Sequence, residues 1–313
     1  MIKASIFADL SLLFVALIWG ATFVLVQSAI SFLEPFSFNA VRFTAAAVLL
    51  GLWLIVFEKD QLKKLDKKLM LSGMMLGFWL FIGYAFQTLG LLYTTSSKAG
   101  FITGLSVVLV PLLMIGILKQ RPGVNSITGV AAATLGLYLL TMSDVSSLNI
   151  GDGFVLICAA GFALHIVFTG KFSSSYPTLL LTTVQISTVA VLSAIFSVIF
   201  EDWKRVFNPE VIYSANVLVA LLITSILATA LAFFIQTNFQ KHTTATRVAL
   251  IFAMEPVFAA ITAYFWASER LTYIALVGCS LIFAGMVFAE LPSGKLEHLV
   301  RKRITKKEAD SKA

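Results

Sequence analysis

The sequence predicts an all-α membrane protein: ten transmembrane helices, built as two inverted five-helix repeats around a central cavity. Three observations predict it. Apolar residues make up 59% of the 313-residue chain and charged residues only 12%, too little charge to cover a soluble protein of this size. The apolar residues come in blocks of about 20, the length of a helix that crosses a bilayer. The chain also resembles itself across its midpoint. Strand-type alternation is absent, which argues against a β-barrel.

Ten blocks follow in order: 9–30, 36–57, 69–92, 95–118, 124–142, 152–171, 177–200, 212–236, 243–267 and 271–290. The first is expected to be a retained helix. Its apolar run is too long for a signal peptide, its basic flank is Lys3 alone, and no small-residue cleavage site precedes a soluble domain. Glu34-Pro35 opens the second block and the run from Glu58 to Lys68 closes it. The fourth block carries Pro111 and ends at Lys119–Gly123. Residues 143–151 lead into the sixth, Ser173–Pro177 into the seventh and Glu201–Glu210 into the eighth. Lys241–Thr244 opens the ninth, which holds Glu255-Pro256 at its centre, and Glu269-Arg270 separates it from the tenth. No gap is large enough for a soluble domain.

The net charge of +7 follows from topology and is no signal for nucleic acid. With the N-terminus inside, one face collects Lys3, the lysines from Lys59 to Lys68, Lys119, Arg121, Lys171, Lys241 and the tail after Lys295. The other keeps Lys98, Lys204, Arg205 and Arg270. This is the positive-inside pattern, and it puts both termini in the cytoplasm of a multi-pass protein of the inner (plasma) membrane. The basic tail, residues 293–313, anchors that topology beside the lipid bilayer. Cys158 and Cys279 both fall inside spans and have no ligand spacing, so neither a disulfide framework nor a metal site is expected.

Residues 1–147 and 148–292 are expected to be the two repeats. An offset of 143 residues lays Ala16 on Ala159, Trp19 on Phe162, Thr22 on His165 and Arg42 on Gln185. An offset of 149 lays Gln87-Thr88 on Gln236-Thr237, Thr94-Thr95 on Thr243-Thr244, Lys98 on Arg247, Gly129 on Gly278 and Gly136 on Gly285. The glycine and alanine matches carry little weight in an apolar chain; the Gln-Thr, Thr-Thr and basic matches carry more. Five is odd, so the second copy enters from the opposite side, as in many secondary transporters whose substrate site lies at mid-depth between the copies.

Four stretches carry a family resemblance: "ALIWGATFV" (16–24), "PFSFNAVRFTAAAVLL" (35–50), "TTSSKAGFITGLSVVLVPL" (94–112), and "MEPVFAAI" (254–261) followed by "SERL" (268–271). The chain resembles the drug/metabolite transporter superfamily, specifically the EamA-type ten-helix exporters. The resemblance implies cytoplasmic termini, a central cavity and export of amino acids or other small metabolites. Phe162-Ala163, His165 and Lys98 depart from the family's usual pattern.

The polar residues inside the blocks are the candidate site, because an ionisable group at mid-bilayer is costly unless paired or wetted. Glu255 lies about 18 Å along its helix from Thr243 at 1.5 Å per residue, near the midplane. Pro256 is expected to kink that helix and free the Phe252 carbonyl, and Pro111 to free Val107 in the matching fourth block. Glu255 beside its kink suits proton coupling or gating, holding a proton or a cationic group but not both; the competing role is a structural hydrogen bond. Arg42 attracts an anionic group, or else snorkels outward or bonds a neighbouring helix. Trp19, Thr22, Trp79, Gln87, His165 and Gln236 are the candidate substrate-binding residues. Trp79, Gly83 and Gln87 form one stripe at four-residue spacing. Each aromatic competes with a packing role, and His165 with that of a satisfied core residue.

No phosphate-binding Gly-Lys-Ser/Thr loop, His-Glu-x-x-His helix, intramembrane Asp pair or Gly-x-Ser-x-Gly elbow occurs. The expectation is therefore not an enzyme, with no cofactor and no metal. It is a secondary active transporter exporting small organic metabolites by alternating access. Its partners are a small-molecule substrate, the bilayer and protons, with no nucleic acid, and it is a monomer or homodimer. A nucleotide-sugar or sugar-phosphate exchanger is the alternative, ranked lower because Arg42 is the one deep basic residue. A membrane enzyme or sensor is the rival of another class.

Overall fold

The computed structural model describes residues 2–141, 149–266 and 272–290. The tail 293–313, Arg270 and the "SERL" motif lie outside them. Among the described residues the structure is helical throughout, with no strand. The helices are α1 (Ile2–Ala29), α2 (Pro35–Phe57), α3 (Lys67–Gly90), α4 (Ser96–Gly104), α5 (Ser106–Leu113), α6 (Val124–Thr141), α7 (Ile150–Phe172), α8 (Thr178–Phe200), α9 (Ala215–Ser225), α10 (Ala232–Gln240), α11 (Ala245–Phe252), α12 (Glu255–Trp266) and α13 (Tyr273–Glu290). A π-helical turn, Met114–Leu118, follows α5, and a second, Ile226–Leu231, joins α9 to α10.

Eight segments are long and apolar enough to cross a membrane, rather than the expected ten. Two further apolar helices, Val124–Leu140 and Tyr273–Ala289, are shorter. At 1.5 Å per residue each runs about 25 Å, a few ångströms less than a hydrocarbon core of about 30 Å. The molecule is a multi-pass membrane bundle. Trp53, Phe57, Ile199, Phe200 and Phe265 are exposed on its outside, where lipid rather than water meets them.

Capping residues set the helix starts. Asp66 accepts the Leu69 amide at 2.7 Å to begin α3. Asn149 and Asp152 form a reciprocal capping box at α7. Thr95 caps α4 through the Lys98 amide, and Thr244 caps α11 through the Arg247 amide, each at 3.3 Å. These are the two Thr-Thr matches of the sequence comparison, so that signal has a local cause. The start of α2 is capped from another helix: the Phe36 and Ser37 amides both donate to Glu201 at 2.7 Å. Burial pushes the Glu201 carboxyl up from its ordinary pKa, opposed by those donors.

Packing brings α3 against α7 and α8, α2 against α8, and α1 against α9 through α12, while α4 and α5 pack on α7. The shorter helices α6 and α13 pack along each other. A Cβ at Gly129 would lie 2.6 Å from the Gly285 carbonyl oxygen, and one at Gly136 would lie 2.6 Å from that of Gly278. Only glycine permits backbones this close. The glycine matches, slight as sequence evidence, mark one of the tightest helix contacts in the molecule.

Candidate functional site

A central cavity is walled by α1, α2, α3, α4, α5, α7, α10, α11 and α12. Trp19, Thr22, Arg42, Gln87, His165, Gln236, Glu255 and Pro256 all line it. Its free volume is about 70 Å³, room for about five waters at 10–15 Å³ each and far below the roughly 300 Å³ of a small-ligand pocket. The cavity is contracted in this structure.

The cation comes from α2. Arg42 is 2% exposed and turns inward, so the snorkelling role is corrected. Its Nε donates to Thr229 Oγ1 at 2.7 Å and its Nη2 to the Ala228 carbonyl at 3.4 Å. The guanidinium also stands 4.7 Å from the centre of the Tyr84 ring, a cation–π distance. The π turn explains the acceptors. Widening the helix frees backbone carbonyls that must find other donors at this depth. Trp19 Nε1 takes the same Ala228 carbonyl at 2.8 Å. Two cavity side chains are thus held by one irregular turn, which the sequence pattern did not disclose.

The acid comes from a helix break. The Met254 amide bonds back three residues to Ile251 at 3.1 Å, and the Phe258 amide restarts the ladder on Met254 at 3.0 Å. Glu255 and Pro256 are therefore the first two residues of α12, where a missing amide costs little. The expected mid-helix kink is corrected to a break just before the proline. At the matching place in the first half, the Leu105 amide bonds back three residues to Ile102 at 3.1 Å. An offset of 149 lays Leu105 on Met254 and Ser106 on Glu255, and Ser106 also lines the cavity. Pro111 does not make that break. It lies buried in α5, six residues past Leu105 and away from the cavity lining. Gly20 admits the broken segment: a Cβ there would lie 2.5 Å from the Glu255 carbonyl oxygen.

Trp79 is the other residue displaced from its expected place; it is half-buried and outside the lining. The cavity stripe of α3 is Leu80, Tyr84, Gln87 and Leu91. Eight residues carry Trp79 about 80° around the helix from Gln87, while seven carry Leu80 only about 20°. A four-residue stripe drifts off a face that a mixed three-and-four spacing keeps.

His165 anchors a polar chain. Gln185 Nε2 donates to Thr237 Oγ1 at 3.0 Å, so Gln185 Oε1 faces His165 Nε2, 2.9 Å away, and accepts its hydrogen. Gln236 Nε2 donates to Gln240 Oε1 at 3.3 Å, but Gln236 Oε1 is buried with no hydrogen-bond partner among the described residues. Arg42 and Glu255 share the cavity without forming an ion pair with each other. Aromatic rings fill the remaining wall: Trp19 lies 4.9 Å from Phe252 and 5.3 Å from Phe233, centre to centre. Among the described residues no group of His, Cys, Asp or Glu gathers to hold a metal.

The model of the EamA-like transporter family matches residues 6–142 and again 149–290. The chain belongs to the EamA-like transporter family. It is a transporter and not an enzyme. It is similar to an uncharacterized transporter of Archaeoglobus fulgidus, 36% identical over 91% of this chain and 86% of that one. The Bacillus subtilis transporter YoaV is 23% identical over 88% of this chain and 94% of its own. A WAT1-related chloroplastic protein of Arabidopsis thaliana is 24% identical over 88% of this chain and 67% of its own. A solved crystal structure superposes with a TM-score of 0.75 at 20% identity, covering 93% of this chain and 98% of that one. At that identity it speaks for the fold alone. The EamA match to both halves covers every helix that walls the cavity.

Proposed function

We propose that this EamA-family chain is a secondary active exporter of small zwitterionic metabolites, amino acids above all, working by alternating access. One observation carries the reading: a guanidinium, Arg42, and a carboxyl, Glu255, face one central cavity and are not spent on each other. An α-amino acid presents the complementary pair. Arg42 meets its carboxylate, Glu255 its ammonium, and Gln236 Oε1 accepts a further hydrogen bond from the ammonium. The aromatic wall of Trp19, Tyr84, Phe162, Phe233 and Phe252 accommodates an apolar side chain. Glu255 exchanges its proton against the substrate's ammonium, which couples export to the proton gradient. Thr22, Gln87 and His165 complete the polar lining, and Pro256 holds the break open as a gate element.

Two inverted five-helix repeats, 1–147 and 148–292, provide the alternation. Their support is the double family match and the pairing of helices. Contact of α3 with α7 is answered by α9 and α10 with α1; contact of α4 and α5 with α7 is answered by α11 and α12 with α1. The α2–α8 and α6–α13 contacts answer themselves. In this reading α6 and α13 also cross, both termini are cytoplasmic and the membrane is the plasma membrane. A sugar-phosphate exchanger is less well supported, since Arg42 is the one Lys or Arg lining the cavity.

The test is purified protein in liposomes with a panel of labelled amino acids and metabolites, with and without a pH gradient. Wild type is expected to move a zwitterion, and Glu255→Gln to lose the gradient's effect. Flux of no solute under any gradient removes the exporter reading; full gradient-driven accumulation by the variant removes Glu255 as the coupling site.

A further inference from the structure

The two ion pairs that brace the bundle ends are absent from the cavity. Lys98 Nζ lies 2.6 Å from Asp152 Oδ2, and Arg247 Nη2 lies 3.2 Å from Asp9 Oδ2. The acids are 143 residues apart and the bases 149, the same two offsets that align the halves. Each base sits three residues past its capping threonine, in the first turn of a half-helix that ends at a break: Lys98 in α4, Arg247 in α11. Each acid sits near the start of the long helix that opens a half, α1 or α7. The pairs lie at opposite ends. Asp9 is where the chain first enters; α1, α2 and α3 then make three crossings, and Lys98 follows the third.

We propose that Asp9–Arg247 and Lys98–Asp152 are matched latches, one at each end of the bundle, whose alternate opening decides which side reaches the cavity. The proposal rests on the alternating-access reading above. A cation in the first turn of a helix opposes the helix dipole, so neither base is placed for its own helix; the acid across the contact is what makes the position tolerable. The breaks after α4 and α11 let each half-helix swing without dragging its continuation. A buried ion pair suits a switch because its attraction is largely offset by lost hydration. Admitting water to the pair therefore opens it at small net cost, whereas deleting one partner leaves a stranded charge.

The latches are unequal. Lys98 and Asp152 are 9% and 6% exposed, and Asp152 also takes the Thr94 hydroxyl and the Asn149 amide, each at 2.8 Å. Arg247 and Asp9 are 24% and 15% exposed. Both are closed here, in keeping with the contracted cavity, and the Asp9 end is the readier to open.

The experiment uses the full chain with Cys158→Ala and Cys279→Ala, and Ser106→Cys as a single thiol on the cavity wall. A membrane-impermeant maleimide is applied from each side separately, in intact cells and in inside-out vesicles. Asp152→Asn is expected to raise labelling from the Lys98 side about tenfold and to leave the other side at its base rate. Asp9→Asn is expected to do the reverse, with a smaller increment. Exchanging the charges, Lys98→Asp with Asp152→Lys, is expected to restore the base rate. It also keeps the test decisive if Asp152→Asn fails to give monodisperse protein, because the exchanged pair retains both charges. Equal labelling from both sides, no change in either variant, or no restoration on exchange overturns the latches. Amino acid flux in the same vesicles separates the two readings. Side-selective labelling without flux of any solute keeps the latches and removes the exporter; flux without side-selective labelling does the opposite.

Discussion

The fourth and ninth segments are built alike and furnished differently. Both start at a capping threonine, run one short half-helix and break at the same place under the 149-residue offset. Beyond the break one continues as Ser106-Val107, the other as Glu255-Pro256. The break without proline at Leu105 shows that packing and capping make it; proline adapts to it at Met254. The acid is what the second half adds. A scaffold of two similar halves thus carries chemistry on one side only, and a substrate with two distinct ends is the kind such a site can orient.

The most severe way to break the comparison is Gly20→Ala. The added methyl would stand 2.5 Å from the Glu255 carbonyl and 2.8 Å from Phe258 Cβ. A destabilisation of about 3 kcal/mol is expected from such overpacking, read as a lower melting temperature in detergent. Glu255→Gln against Ser106→Ala comes next. The first is expected to reduce gradient-driven flux about a hundredfold, the second only a few-fold, since one removes the coupling proton and the other a hydroxyl. Equal losses in liposome flux would mean the two halves share the coupling. Arg42→Lys is expected to raise KM about tenfold with less effect on the maximal rate, because lysine cannot reproduce the planar contacts to Thr229, Ala228 and Tyr84. The mildest change sharpens the comparison. Gly100→Ala makes α4 match α11, which has Ala249 there. The nearest atom to its Cβ would be Pro256 Cβ at 4.0 Å, so a stabilisation of up to about 1 kcal/mol is expected from helix propensity, seen as a higher melting temperature.

Single residues show how far the sequence could be read. Glu255, Arg42 and His165 stood out because an ionisable side chain among apolar ones is conspicuous at any depth. Thr95 and Thr244 stood out as a repeated pair, and their capping role is local. Trp79 was misplaced because the exact rotation of α3 depends on the neighbour it packs on. Pro111 was assigned a break that lies six residues earlier. Ser106 was missed because a serine in an apolar run carries no signal until its break is seen. Asp9 and Asp152 passed unremarked because span ends are where acids are ordinary, and Lys98 and Arg247 were set aside as able to reach the headgroups.

Composition and block length by themselves determined that this is a multi-pass helical membrane protein, since too little charge to face water and runs of about 20 apolar residues leave no other solvent for the chain. Self-similarity along the chain added the expectation of two related halves. Only the tertiary structure decided which polar groups meet: that the π turn at Ile226–Leu231 holds both Arg42 and Trp19, that Arg42 and Glu255 share one cavity unpaired, and that each end is closed by an acid and a base some 90 residues of fold apart or more. Hydropathy is a property each residue carries alone, whereas a hydrogen bond or an ion pair exists only between two groups that folding has brought within about 3 Å.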